Sequence, residues 1–133
     1  MEGEIVGGNL SVLMGMNGSN IFPETDGKIL FIEEVDEYIY HIDRMMHALK
    51  RAGKLARLKG LIIGGLTQIH DNPDPFGMSV EEVIVEAVAE YDYPVCFGFH
   101  AGHFDDNRAV LFGQKAKLEI TAEKSVFLGN LVH

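Results

Sequence analysis

Two acids and a histidine occupy the positions from which this chain could do chemistry. Glu33 and Glu34 end the apolar run Ile29-Leu30-Phe31-Ile32, and His103 follows Gly102 shortly after a second run, Pro94-Val95-Cys96-Phe97-Gly98-Phe99. A carboxylate at a strand end can fix one nitrogen of an imidazole and stabilise its protonated form. The imidazole can then take a proton from a hydroxyl. Side chains alternate along a strand, so Glu33 and Glu34 point to opposite faces and only one of them can serve a given cleft. The same spacing also suits two solvated strand-end acids, with Asp36 and Glu37 as favourable charges near a helix N-terminus, and an ordinary loop histidine.

No nucleophile accompanies this base. Ser11 falls in a short helix, Ser19 in a Gly-Ser-Asn turn, Ser79 at a helix start and Ser125 in a late strand. None stands in the Gly-x-Ser-x-Gly elbow that exposes a serine beside backbone donors. Cys96 is mid-strand and reads as a small core residue. Gly7-Gly8 and Gly64-Gly65 have neither the dinucleotide spacing nor the Lys-Ser/Thr ending of a phosphate loop. His100, with His103, Asp105 and Asp106, makes a poor match to zinc-ligand spacings, so neither a metal nor a cofactor is expected.

The elements that must position these residues read as an α/β domain. Lys28 to Glu34 is apolar on both faces, as a central parallel strand is. A helix over about Tyr38 to Ala52 places Ile42, Met45, Met46 and Leu49 on one stripe. Leu58 to Leu66 is the next strand, and the two prolines of Asp71-Asn72-Pro73-Asp74-Pro75 require a loop. Ser79 and Glu82 form a capping box for a helix that buries Val83, Ile84, Ala87 and Val88. Pro94 to Phe99 is a third strand. Near the start, Gly7-Gly8 reads as a hinge and Asn9 as the cap of a short helix, Leu10 to Met16. Ala109 to Phe112, Ala116 to Thr121 and Lys124 to Leu128 have the short alternating runs and Gly or Glu-Lys turns of a meander. The expected architecture is a parallel βαβαβ core with a small C-terminal antiparallel β meander.

Composition narrows the function classes. A chain of 133 residues, 47% hydrophobic, can build one core without metals or disulfides. A formal charge of −9, with no basic run longer than Lys50-Arg51, argues against nucleic acid or an anionic membrane as partner. One cysteine cannot form an internal disulfide, and no stretch reaches the ~18 apolar residues of a membrane span. A cytoplasmic location is expected.

Four segments carry a more specific resemblance: Gly7-Gly8-Asn9-Leu10, Ile29-Leu30-Phe31-Ile32-Glu33-Glu34-Val35-Asp36-Glu37, Ile42-Asp43-Arg44-Met45 and Gly98-Phe99-His100-Ala101-Gly102-His103. In this order they resemble the C-terminal domain of an LD-carboxypeptidase, from the serine peptidase family that includes the microcin-immunity peptidases. The resemblance covers nearly all of the chain and implies a swivelling β/β/α-type domain. It also implies a two-domain enzyme, in which a serine of an N-terminal domain meets a glutamate and a histidine of this domain in the interdomain cleft. Glu33, the first acid at the strand end, takes the place of the catalytic glutamate. His103, closing a Gly-His pair, takes that of the catalytic histidine, and His100 falls at a variable position.

The implied reaction is hydrolysis of an L,D-peptide bond that releases a terminal D-amino acid from murein tetrapeptides. A microcin-immunity type peptidase acting on a peptide–nucleotide amide is the alternative within the enzyme class, and a non-catalytic binding or dimerisation module is the alternative outside it. On this reading residues 1–8 are a remnant of the interdomain linker and residues 9–133 the C-terminal domain. The serine domain lies outside the chain, which by itself is expected to be inactive and to pair as a homodimer.

Overall fold

The structure, a computed structural model, describes residues 1–121 and 125–129. Strand β1 (Glu2–Asn9) runs directly into helix α1 (Leu10–Met16). There follow β2 (Ile29–Val35), α2 (Ile39–Arg51), β3 (Gly60–Thr67), α3 (Val80–Val88), β4 (Val95–Cys96), β5 (Lys115–Ile120) and β6 (Ser125–Gly129). They form one six-stranded sheet in the order β4-β3-β2-β1-β5-β6. Strands β1 to β4 pair in parallel, and β5 is antiparallel to both β1 and β6. The fold is mixed α/β, as the patterning implies, and its parallel part has one strand more than expected.

That extra strand is β1. Gly7 and Gly8, read from the sequence as a hinge within a linker, instead pair with Phe31 and Ile32 inside the sheet. A Cβ at Gly7 would lie 1.9 Å from the Phe31 carbonyl oxygen, so glycine is there for a close strand contact rather than for flexibility. Two further differences lie beyond β4. The third expected strand shrinks to Val95–Cys96, and Ala109 to Phe112 forms no strand. The stretch between instead leaves the sheet edge and folds over one face. Lys124, and with it the Glu-Lys turn, lies outside the described residues.

Alternation along β2 divides the core in two. Leu30 and Ile32 face the helices, packing with Leu10 and Leu13 of α1, Ile42, Met46 and Leu49 of α2, and Ile84 and Ala87 of α3. Ile29 and Phe31 face the other way, onto Ile5, Ile62, Ala101, Ala116 and Leu118. Both ends of α3's first turn are tied as the capping box requires: the Ser79 hydroxyl accepts from Glu82 N and the Glu82 carboxylate accepts from Ser79 N. Among the described residues no helix is long and apolar enough to cross a membrane.

The register of β3 against β2 breaks at one place. Ile32 pairs with Ile63 but Glu34 pairs with Leu66, so β3 holds one extra residue at Gly64-Gly65. A Cβ at Gly64 would lie 2.3 Å from the Ala101 carbonyl oxygen, and one at Gly65 2.3 Å from the Phe104 ring. The bare backbone of this bulge is the surface on which the loop carrying His103 rests. Gly64→Ala should therefore cost at least about 1–3 kcal/mol, as overpacking of a tight contact does, read as a lower denaturation midpoint at unchanged slope. A midpoint equal to wild type would show that the loop does not depend on this contact.

Candidate active site

Glu33 is the next residue after Phe31 on the face away from the helices, and only 5% of it is exposed. A buried carboxylate is costly unless it is hydrogen-bonded. Its partner is His103, whose Nδ1 stands 2.7 Å from Glu33 Oε2. The His103 side chain remains 58% exposed. With Nδ1–H donating to the carboxylate, Nε2 carries the lone pair, and among the described residues no group engages it. The hydrogen bond that His103 donates to Glu33, and then the charge of Glu33, raise the imidazole above its ordinary value of 6.5, with Glu34 adding a smaller push.

The loop that delivers His103 is held at several points. Phe99 N–H donates to Ile63 O at 3.1 Å and Gly65 N–H to Ala101 O at 2.9 Å, docking the loop on β3. Gly102 N–H donates to Asn107 Oδ1 at 3.0 Å. Gly102 itself sits at φ +123, where L side chains are rarely found, and a Cβ there would lie 3.0 Å from Glu33 Cβ. Only glycine lets the backbone pass so close to the buried acid. A cavity of about 300 Å³ opens beside Glu33, lined by Asn9, Phe31, Asn107, Arg108, Val110 and Phe112 among others.

Glu34 faces the helices, as its parity demands, and is 3% exposed. Its Oε1 accepts from Asn9 Nδ2 (2.9 Å) and Val35 N (3.0 Å), and its Oε2 from Ser11 N (2.9 Å) and Ser11 Oγ (2.7 Å). Burial pushes this carboxyl upward, but the bonds from Ser11, Asn9 and Val35 outweigh burial and hold it below its ordinary 4.5. Asn9 also caps α1, its Oδ1 accepting from Val12 N. Glu34 thus fastens the start of α1 to the end of β2, and neither acid is the solvated strand-end charge that the spacing alone would allow.

His100 belongs to a separate exposed cluster. Its Nδ1 stands 2.6 Å from Asp106 Oδ2, and Asp106 also pairs with Arg108. Among the described residues no group of three or more His, Cys, Asp and Glu side chains is placed to hold a metal ion. Ser11 serves Glu34, Ser19 bonds Met16 O and Ser79 caps α3, so none of these three hydroxyls meets His103. Sequence reasoning singled out Glu33 and His103, which the structure brings within 2.7 Å, but weighed Gly64-Gly65 only as a phosphate loop and passed over Asn107. A glycine pair inside an apolar strand was the available signal of a bulge and a close approach.

Residues 2–118 match the family model for the LD-carboxypeptidase C-terminal domain. The chain belongs to that family. As an LD-carboxypeptidase C-terminal domain it is 38% identical over 127 residues to the "Probable murein peptide carboxypeptidase" of Bacillus subtilis (strain 168), a match covering 96% of this chain and 40% of the relative. Its fold is similar to the crystal structure of muramoyltetrapeptide carboxypeptidase from Oxalobacter formigenes, with TM-score 0.87 and 29% identity over 98% of this chain and 46% of that one. It is also similar to MccF, the microcin C7 self-immunity protein of Escherichia coli, in complex with glutamyl sulfamoyl guanosine: TM-score 0.86 and 26% identity over 98% of this chain and 38% of that one. The chain therefore spans less than half the length of the proteins it matches.

His103 and Glu34 of this LD-carboxypeptidase domain respond to pH in opposite senses. The stability that His103 gains from Glu33 is complete below the imidazole's unfolded value and fades as pH rises through its raised folded value. The contribution of Glu34 is complete above the carboxyl's unfolded value and is lost as pH falls through its lowered folded value. Glu34→Gln should cost about 2–3 kcal/mol, because a carboxamide NH₂ cannot accept from the donors that meet the carboxylate. Chemical denaturation at neutral pH and at acid pH should show this loss shrinking on acidification. An equal loss at both would contradict the clamp.

Proposed function

We propose that this chain supplies the glutamate and histidine of a serine-type LD-carboxypeptidase, with Glu33 as the orienting acid and His103 as the general base. The single observation that carries this reading is the 2.7 Å contact between His103 Nδ1 and the buried Glu33 carboxylate. That contact leaves Nε2 facing outward with its lone pair available. The serine would come from the remaining part of a two-domain enzyme. His103 would take its proton as the hydroxyl attacks the L,D-peptide carbonyl and return it to the departing amine of the D-amino acid. A water activated by the same nitrogen would then release the acyl group. The substrate on this reading is a murein tetrapeptide, and the compartment the cytoplasm.

The similarity to MccF favours a second reading, in which the bond cleaved is a peptide–nucleotide amide. The same acid and base would serve it, because the proton transfers are the same. What differs is the surface that holds the rest of the substrate.

A polypeptide that joins this chain to its serine domain should release the terminal D-amino acid from a murein tetrapeptide, whereas residues 1–133 alone should not. In the joined enzyme His103→Ala should lower kcat by roughly 10⁴ to 10⁶ and Glu33→Gln by about 10⁴, in a chromatographic assay of the released amino acid. Cleavage of an aminoacyl sulfamoyl nucleoside instead of the tetrapeptide would select the second reading. Full activity of both variants would rule out either one.

Leu111 and Phe112, 50% and 46% exposed, lie at or beside the rim of the cavity next to Glu33. We read this apolar surface as the part of the domain that another chain segment covers, and in isolation as a contact between two copies. Sedimentation velocity of the 133-residue chain should show a concentration-dependent dimer that Phe112→Asp weakens. A strict monomer at high concentration would contradict it.

A further inference from the structure

A bulge changes which face of a strand its later residues show. Along β3, Ile62 packs on the Glu33 side of the sheet and Ile63 on the helix side. Strict alternation would send Gly64 and Leu66 to the Glu33 side, and Gly65 and Thr67 to the helices. The extra residue alters this. The Cβ directions of both Gly64 and Gly65 meet the loop of residues 101–104 or Phe31, Leu66 packs with the helix-side core, and Thr67 comes round to the Glu33 side. There its hydroxyl donates to the backbone carbonyl of His103 at 2.8 Å.

We infer that Thr67 is a positioning residue, turned by the Gly64-Gly65 bulge to hold His103 at the height from which its ring reaches Glu33. The inference rests on Glu33 and His103 being the acid and base proposed above. His103 follows Gly102, whose φ of +123 lies where L side chains are rarely found. Upstream, the loop is tied to β3 through Ala101 O, and the Thr67 bond is the matching tie at His103 itself. Thr67 is also joined to β2, where it pairs with Val35 and its carbonyl accepts from Asp36 N–H at 3.0 Å. The strand that carries the acid and the loop that carries the base are therefore held together by one side chain and its backbone.

The test is read on the 133-residue chain itself, by nuclear magnetic resonance titration of the His103 ring in wild type, Thr67→Val, Thr67→Ser and Glu33→Gln. The charged groups acting on this ring are Glu33 and, more weakly, Glu34. Thr67→Val should move the midpoint down across most of the interval between wild type and Glu33→Gln, while Thr67→Ser, which keeps the hydroxyl, should stay at the wild-type value. Backbone amide shifts on β1 and β2 report whether each variant is folded. If the valine methyl unfolds the chain, Thr67→Ala takes its place with the same expectation. An unchanged midpoint in a folded valine or alanine variant, or a fall as large in Thr67→Ser, would overturn the inference. No turnover is read, so failure of Thr67 to act and failure of the hydrolase reading give different results.

Discussion

A carboxylate that is 95% buried governs this domain's architecture, because Glu33 must be hydrogen-bonded to remain folded as an anion. The partner comes from a loop 70 residues further along the chain, and that loop has to approach the backbone of β3 and Glu33 itself more closely than side chains normally permit. Glycine at 64, 65 and 102 removes the obstruction on both sides of the contact. The bulge follows from the same demand, since it turns two successive positions of β3 toward the loop. The core on this face is correspondingly small, with Phe31 meeting Phe99 and Phe112 edge to face rather than a packed helix.

Neighbouring acids divide the labour by parity alone. Glu33 reaches toward the loop face and engages an ionisable ring that stays in contact with solvent. Glu34 reaches toward the helices and satisfies four donors of the β1–α1 corner and β2. Two buried carboxylates in sequence are tolerable because each is held by charge-assisted bonds on its own side of the sheet. One consequence is mechanical: the strand end that presents Glu33 is braced from behind by α1 through Glu34, and the histidine is braced from in front by β3. An imidazole positioned in this way, with Nε2 unengaged among the described residues, has the geometry that the proposed role of general base requires.

Much of this could be read in the residues. The double-sided apolar run before Glu33, the Ile42-Met45-Met46-Leu49 stripe and the Ser79–Glu82 box fixed β2, α2 and α3 by periodicity and capping, which are local. Glu33 and His103 were identifiable from their places at run ends and from the family resemblance, and their proximity follows from strands that share one sheet. β1 was missed because Gly7-Gly8 has the composition of a hinge. What makes those glycines a strand is a contact with Phe31, more than twenty residues away. Ala109 to Phe112 was misjudged for the converse reason, since a locally strand-like run is committed by tertiary contacts to lining the cavity beside Glu33. The burial of Glu34 was equally invisible, because it depends on where the first turn of α1 lands.

Coupling between the two residues gives the most direct test of the central claim that Glu33 acts through His103. In the enzyme carrying both domains, kcat/KM would be measured for wild type, Glu33→Gln, His103→Ala and the double variant, closing a cycle. If the acid works only by orienting and stabilising the imidazole, the double variant should be no slower than His103→Ala alone, because members of a catalytic unit fail together. A double variant slower by the product of the two single losses would mean that Glu33 and His103 act independently, and would contradict the account.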